Sequence, residues 1–262
     1  GQNGRRRVAE HFENCDLAGS TFRRVNLEDT VFNDVNLGNT IFSNVNLGQA
    51  VIRDANLSGL TIESAAIEGL TVFGIRVDEL IELELDRRDP ARAALRMADI
   101  FDPAEVQRVM VRLEHVRAAF VETLQATPPA QLTAHPGPDR WSALEHVRHL
   151  VFAEDMYVNR WILANDAPWC ALGFLPPFLA HNPAFAEVGS SPTDDLATVL
   201  AAWNTIHSKL QAILPTLSAE ALRRDTRGID FGQGTVGGIL QGMAQHDLEH
   251  IRMAEAALRD LG

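Results

Sequence analysis

The first third of the sequence repeats every five residues, and this period constrains the fold more than any other feature. Apolar side chains recur at every fifth position from Phe12 to Val77. A period of five fits neither the 3.6 residues of an α-helical turn nor the two-residue alternation of a β-strand. It predicts a chain that turns a corner every five residues and directs two side chains per side into a narrow interior. The central residues are Phe12, Leu17, Phe22, Leu27, Phe32, Leu37, Phe42, Leu47, Ile52, Leu57, Ile62, Ile67, Val72 and Val77.

Asparagine or aspartate precedes many of the central leucines, as in VNLEDTVFNDVNLGNTIFSNVNLGQAVIRDANLSGL. This pattern resembles the pentapeptide-repeat family, whose signature is A(D/N)LXX. The resemblance covers about residues 10–77 and implies a right-handed, four-sided β-helix whose core is made of the central side chains. Some members of that family imitate DNA and bind topoisomerases, so the resemblance also implies a protein partner. Such a partner would meet outward positions such as Arg23, Glu28, Asp34 and Arg53.

The net charge argues against nucleic acid as a partner. The chain has 23 basic and 35 acidic residues, a formal charge of −12, whereas proteins that bind phosphates need a basic face. Only 11 of the acidic residues fall within residues 1–80, beside 7 basic ones. The acidity is therefore not concentrated on the repeats, where imitation of DNA would need it.

Cysteine content and hydropathy narrow the class of protein further. The only cysteines are Cys15 and Cys170, which argues against a disulfide framework and against a four-cysteine zinc site. The most apolar stretch, residues 167–185, contains four prolines, which a membrane-spanning helix tolerates poorly. With no signal peptide visible, we expect a cytoplasmic protein without a membrane partner. Residues 1–9 are interpreted as a tail or a remnant of expression cloning.

From Asp78 onward the apolar spacing becomes helical. Residues 78–101 predict a helix that caps the open end of the β-helix, followed by a linker. Residues 102–262 contain four long amphipathic stretches, which predict an antiparallel four-helix bundle. The stretches run roughly over residues 104–125, 141–162, 194–214 and 235–258. The predicted fold is therefore a β-helix followed by a helical bundle.

Two histidines on the fourth predicted helix are the clearest chemical signal. His246 and His250 are four residues apart and share one helix face. Buried imidazoles need polar partners, and one divalent metal ion satisfies both. A third ligand should come from the second helix, which offers His146 and His149. Periodicity alone does not choose between these two.

The blocks RWSALEHVRHLVFAE and GTVGGILQGMAQHDLEHIRMAE resemble the DinB/YfiT-like superfamily, which includes bacterial S-transferases that use mycothiol or bacillithiol. The resemblance covers about residues 102–262. The family pattern is matched in order and spacing by Trp141, His149-Leu150, Glu154, His246 and His250. The resemblance implies that His149, His246 and His250 bind a divalent metal, with zinc or nickel expected.

The residues around these ligands are also candidates for the site. His146, Glu154 and Glu249 are candidates for groups that surround the metal ligands. The proline-rich loop 165–193 contains aromatic residues and His181, and it is interpreted either as a wall over the bundle mouth or as a structural cover. The segment RGIDFGQGT before the fourth helix is a candidate for the rim. The candidate pocket residues are Trp169, Phe174, Phe178 and, on the third helix, His207.

Three neutral ligands leave an open position on a metal, which is typical of a catalytic site. The resemblance implies a reaction in which a low-molecular-weight thiol attacks an electrophilic small molecule. Hydrolysis by activated water would use the same site. A different class of function is also open: an interaction protein or DNA mimic that acts through its repeats, with the bundle as a dimerisation partner.

Overall fold

The computed structural model describes residues 12–262 except 23–26, 28, 44, 64, 66, 68, 139, 166, 178, 180–181 and 227–233. The tail predicted at residues 1–9 and the outward positions Arg23 and Glu28 lie outside the described residues. The chain divides into two compact units, Gly1–Phe42 and Ser43–Gly262.

Both units contain the corners that the five-residue period predicts. In the first unit the side chain of Asp16 accepts the backbone N–H of Ala18 at 2.9 Å, and a 3.0 Å hydrogen bond closes the turn 17–20. The third residue of that turn, Gly19, has a φ of 77°, which glycine adopts without steric cost. Hydrogen bonds of the same kind close turns at residues 37–40, 47–50 and 57–60. The prediction of a regularly turning chain is confirmed.

The β-helix itself is not confirmed. None of the described residues between 12 and 70 lies in a strand. Within the described part of the chain, strand pairing joins β1 (Thr71–Val72) to β2 (Ile75–Arg76) in an antiparallel hairpin. Most of the central side chains predicted to form a core are exposed, for example 42% for Leu17 and 57% for Phe32. A coil buries its apolar side chains only when paired neighbouring coils cover them, and such pairing is missing between described residues here.

The second unit is helical beyond the hairpin. Its four long helices share one hydrophobic core, as the bundle prediction requires. The helices are α1 (Asp78–Arg88), α2 (Pro90–Ala94), α3 (Pro103–Ala126), α4 (Pro129–Thr133), α5 (Ala143–Glu154), α6 (Leu196–Ile213), α7 (Ala219–Arg223) and α8 (Val236–Leu261). Among the described residues, no helix is both long and apolar enough to cross a membrane.

Capping side chains define where the long helices begin. At α5, Ser142 accepts the backbone N–H of Glu145 at 3.2 Å, and Glu145 accepts that of Ser142 at 2.8 Å. This reciprocal pair satisfies two backbone donors that a helix start leaves free. The other long helices begin at Asp102, Asp195 and Thr235, each of which accepts a backbone N–H. The predicted starts are therefore confirmed to within two residues.

The second predicted helix changes its winding part of the way along. After α5 the chain continues as a π-helical segment, Asp155–Ile162, in which the backbone N–H of Leu163 donates to Val158 at 2.9 Å. Wide turns of this kind often occur beside functional sites. This segment contributes Tyr157 to the site described below.

The linker between α2 and α3 lies against α8. The side chain of Gln241 on α8 donates to the carbonyl of Leu95 at 3.1 Å and accepts the backbone N–H of Met97 at 2.6 Å. A Cβ atom at Gly237 would lie 2.1 Å from the carbonyl oxygen of Ile100. The linker backbone therefore approaches α8 so closely that position 237 has no room for a side chain.

Candidate metal centre

Two facing helices bring four histidines together. His146 and His149 lie on α5, and His246 and His250 lie on α8, which packs against α5. The ring centroid of His250 is 4.4 Å from that of His149 and 4.5 Å from that of His246. The imidazole of His149 is buried, and those of His246 and His250 are partly buried.

Three of the four imidazoles are placed as the ligands of one ion would be. His149, His246 and His250 each offer a nitrogen, and these three nitrogens lie within 4.8 Å of one another. The Nε2 atoms of His149 and His246 are 3.3 Å apart. Two nitrogens bound to a tetrahedral zinc are also about 3.3 Å apart. The structure thus assembles the three residues that the sequence resemblance implied.

Hydrogen bonds to Nδ1 leave Nε2 available for a metal. Nδ1 of His149 lies 3.0 Å from the backbone carbonyl of Phe174, which can only accept, so the imidazole hydrogen is on Nδ1. Nδ1 of His246 lies 3.3 Å from Oδ1 of Asp247. A hydrogen on Nδ1 of His246 would be donated to Asp247, and the facing Nε2 atoms would then both carry lone pairs. Two lone pairs at this distance repel each other, and a cation between them removes the repulsion. The donor set therefore fits a divalent metal.

His146 lies beside this set rather than within it. Its Nδ1 is 3.1 Å from Nδ1 of His250, and the two ring centroids are 5.3 Å apart. Among the described residues, the group whose ligand atoms all lie within 4.8 Å of one another contains His149, His246 and His250. His146 is not part of that group, so its position is that of a neighbour of His250 rather than of a fourth ligand.

Aromatic rings enclose the imidazoles. Trp141 packs against His149 at 5.1 Å and stacks on His250 at 5.9 Å between centroids. Phe174 meets Trp141 edge-on at 5.0 Å, and Tyr157 from the π-helical segment meets His246 edge-on at 5.6 Å. These rings cover the sides of the cluster, while His246 and His250 stay partly exposed. The motif matched Trp141, but periodicity gave no signal for Tyr157, because the change in winding is not visible in the sequence.

Arg148 holds the loop that supplies the Phe174 carbonyl. Its guanidinium donates to the carbonyl of Leu172 at 2.9 Å and to that of Gly173 at 3.3 Å. The backbone N–H of Phe174 donates to the carbonyl of Arg148 at 3.0 Å. A Cβ atom at Gly173 would lie 2.8 Å from the side chain of Val188, so the loop passes closely there. Sequence reasoning missed Arg148, since backbone acceptors in a loop leave no motif.

Burial keeps the candidate ligands neutral. Burial first, and then the charge of His246, lowers the pKa of His149 from 6.5 to about 3. Burial likewise lowers the pKa of His246 to about 4 and that of His250 well below its usual value. A metal binds the neutral form of imidazole, so all three residues are in the binding form at neutral pH.

Glu154 and His207 belong to a buried network beside the histidine cluster. Glu154 is fully buried, and it accepts the indole N–H of Trp203 at 2.5 Å. Nδ1 of His207 lies 3.1 Å from Glu154, and Nε2 of His207 binds Glu114 on α3. His207 was a candidate for the pocket, but the structure places it between these two carboxylates. Burial and then the charge of Glu154 raise the pKa of Asp247, so this network reaches the partner of His246.

The remaining candidates have different positions. Trp169 packs with Phe152, with ring centroids 5.7 Å apart, in a second small hydrophobic cluster. Glu249 is exposed on α8. Phe178 lies outside the described residues, as do His181 and most of the predicted rim segment. Burial raises the pKa of Cys170, which is the opposite of an activated thiol.

Comparison with known families agrees with this geometry. The sequence model of the DinB superfamily matches residues 112–254, which is more than half of the chain and includes all four histidines. Pentapeptide repeats match in 8 copies over residues 11–49 and 31–65. The chain therefore belongs to the DinB superfamily and carries pentapeptide repeats ahead of that domain. No curated protein matches the sequence significantly, and no solved structure does either.

Proposed function

We propose that this protein is a divalent-metal-dependent transferase that joins a low-molecular-weight thiol to an electrophilic small molecule. The observation that carries the proposal is the convergence of three neutral imidazoles, with the Nε2 atoms of His149 and His246 facing each other at 3.3 Å. Membership of the DinB superfamily supports it as well.

The three ligands define what chemistry the site supports. His149, His246 and His250 would hold the ion, with zinc or nickel expected. A divalent cation bound there would lower the pKa of a thiol or a water molecule that joins it. Because the imidazoles are neutral, they leave the charge of the ion undiminished. With three protein ligands, a position stays open for the substrate.

The cysteines of the chain support a thiol that comes from outside. Cys15 is exposed within the repeats, and burial raises the pKa of Cys170. The shift at Cys170 is opposite to the lowered pKa that a nucleophilic cysteine requires. The protein would thus supply the binding site, while the attacking sulfur belongs to the low-molecular-weight thiol.

The aromatic wall supports an apolar second substrate. Trp141, Phe174 and Tyr157 present rings around the imidazoles. Pockets lined by such rings bind apolar parts of small molecules, while a few polar groups set their orientation. We therefore assign the choice of electrophile to this wall and to the loop that carries Phe174.

The test combines metal loading with a thiol-consumption screen. The purified protein is loaded with zinc or nickel and incubated with low-molecular-weight thiols and a panel of electrophiles. We expect thiol consumption that disappears in His246→Ala and persists in His115→Ala, which removes an exposed histidine of α3. Ester hydrolysis without thiol consumption would instead favour the alternative function, a metal-dependent hydrolase that uses the same three histidines. Inactivity in both assays would argue against a catalytic role.

A second candidate function concerns the repeats. Exposed apolar side chains outside the central positions, such as Val31 and Ile41, favour contact with a protein partner or with a second copy of the chain. Imitation of DNA has less support, because the acidic residues are not concentrated there. Inhibition of a topoisomerase by the full-length protein, retained in His246→Ala, would favour this function over the enzyme. Sedimentation of the same sample would report a homodimer.

We also propose that the repeats close into the four-sided β-helix that their family implies. The support is the regular corner, with a positive φ at Asn14, Gly19, Asp34 and Asn39. Closure would bury the central side chains and pair the backbones of successive coils. Hydrogen exchange tests it: amides of residues 30–60 would be protected in a closed β-helix and would exchange rapidly in an open chain.

A further inference from the structure

We propose that His146 is a positioning residue that holds the ligand His250 in the form that binds metal. In this arrangement His250 carries its hydrogen on Nδ1 and donates it to Nδ1 of His146, which leaves Nε2 of His250 free. The inference rests on the proposed metal binding and adds a specific role for a fourth histidine.

The short distance between the two Nδ1 atoms indicates a hydrogen bond in which one ring donates and the other accepts. Nδ1 of His146 and Nδ1 of His250 are 3.1 Å apart. A neutral imidazole carries hydrogen on one nitrogen and a lone pair on the other, so one ring donates and the other accepts. If His146 donated, the hydrogen of His250 would be on Nε2 and could not coexist with a metal bond there. Metal binding through Nε2 is therefore compatible with one direction only.

The surroundings hold His146 in place. His146 is buried, with 7% of its surface exposed. The ring of Trp141 lies 5.2 Å from His146 and 5.9 Å from His250, so it packs against both members of the pair.

The other two ligands are oriented in the same way by different groups. Nδ1 of His149 faces the carbonyl of Phe174, and Nδ1 of His246 faces the carboxyl group of Asp247. Ligating histidines generally donate their second N–H to such acceptors, which fixes the ring and its tautomer. His146 completes the set, so each of the three ligands has its own acceptor.

The experiment compares two substitutions of His146 with a surface control. His146→Leu keeps an apolar volume but removes the acceptor, whereas His146→Asn places a carbonyl oxygen near the position of Nδ1. His115→Leu alters an exposed histidine of α3. Zinc affinity is measured by competition with a chelator, and the tautomer of His250 by nitrogen-15 NMR of the metal-free protein. X-ray absorption of the zinc form counts the bound imidazoles.

We expect His146→Leu to lower zinc affinity 10- to 100-fold, as the loss of an outer partner typically does. His146→Asn should restore most of that loss, and His115→Leu should leave the affinity unchanged. In the metal-free wild type, His250 should carry its hydrogen on Nδ1. X-ray absorption should count three imidazoles.

Three results would overturn the inference: unchanged affinity in His146→Leu, hydrogen on Nε2 of His250 in the metal-free protein, or four imidazoles on the ion. If the wild type binds no zinc, the proposed function fails, while the NMR measurement still decides the direction of the hydrogen bond. The same measurement on the wild type decides the matter if His146→Leu does not fold.

Discussion

The Nε2 atom of His149 lies 3.3 Å from the Nε2 atom of His246, although 97 residues separate the two in sequence. Hydrogens on the two Nδ1 atoms, donated to the carbonyl of Phe174 and to the carboxyl group of Asp247, would leave a lone pair on each of the facing nitrogens. This arrangement is unfavourable without a cation and favourable with one. The proposed metal binding depends on this pair more than on any other contact.

Arg148 should affect metal binding without touching the metal. Because its guanidinium holds the carbonyls of Leu172 and Gly173, it positions the Phe174 carbonyl that orients His149. We expect Arg148→Met to weaken zinc binding about 10-fold, within the usual effect of outer partners. Chelator competition measures this change.

Arg160→Met is the matched control for Arg148→Met. Arg160 also donates to loop carbonyls, those of Asn165 and Ala167, and its guanidinium lies 4.3 Å from the ring centre of Trp169. It holds a different part of the loop, so its loss should lower stability but leave zinc affinity unchanged. Equal losses of affinity in both variants would contradict the specific role of Arg148.

The stability of the metal-free protein should fall in mild acid. The folded state holds His146 and His246 with pKa values of about 4 and His149 with one of about 3, whereas 6.5 is the ordinary value. Between pH 6.5 and 4 the unfolded chain therefore binds more protons, and the free energy of unfolding decreases as pH decreases. Each pH unit costs up to about 1.4 kcal/mol per imidazole that stays neutral. Urea unfolding at pH 5, 6 and 7 measures this, and equal stabilities at the three pH values would be inconsistent with neutral buried imidazoles.

The buried network around His207 should respond to pH with the opposite sign. Burial lowers the pKa of His207, but the hydrogen bond to Glu154 and the charge of Glu154 outweigh burial and raise it above 6.5. The stability that this interaction contributes is complete at pH values below the pKa of His207 in the unfolded chain. It is lost as pH rises through the pKa of His207 in the folded protein. Glu154→Gln should lower the pKa of His207, which NMR titration measures.

The same substitution should be strongly destabilising. Removing one partner of a buried ion pair typically costs about 3–5 kcal/mol, because the other charge stays buried without compensation. Glu122→Gln, at an exposed position of α3, is the control and should change stability little. A small effect of Glu154→Gln on both stability and the pKa of His207 would mean that the two groups are not paired in solution.

Two glycines of α8 should respond in opposite directions to alanine. At Gly237 a Cβ atom would collide with the carbonyl of Ile100, whereas at Gly242 it would meet no atom within 4 Å. We expect Gly242→Ala to raise stability by about 0.5–1 kcal/mol through helix propensity. Gly237→Ala should lower it by about 1–3 kcal/mol through overpacking. Thermal unfolding measures both, and a neutral Gly237→Ala would show that the linker does not lie on α8.

Sequence reasoning predicted the long helices well because their starts carry recognisable caps, such as Ser142 with Glu145 and Asp195. It could not choose between His146 and His149 from periodicity, and the structure explains why. Within α5, both histidines and almost every other residue are buried, and both histidines contact histidines of α8. A helix buried on all sides has no polar face, so apolar spacing cannot indicate which of the two is the metal ligand.

The parts that sequence reasoning missed depend on tertiary contacts. The acceptor for His149 is a backbone carbonyl placed by Arg148 from 25 residues away, and no side-chain pattern encodes it. In the repeats the five-residue period correctly predicted the corners at Gly19 and Asn39, since local turn chemistry determines them. Burial of the central side chains depends on pairing between coils, and local chemistry does not determine that pairing.

The metal content of the purified protein shows whether the three histidines hold an ion. Protein purified without chelators, or reconstituted with zinc and freed of excess ion, is analysed by mass spectrometry of its metals. We expect one divalent ion per chain in the wild type and in His115→Ala, and loss of that ion in His149→Ala and His246→Ala. A wild-type protein that retains no stoichiometric divalent metal, or a His246→Ala variant that retains it fully, would show that these histidines are not a metal site.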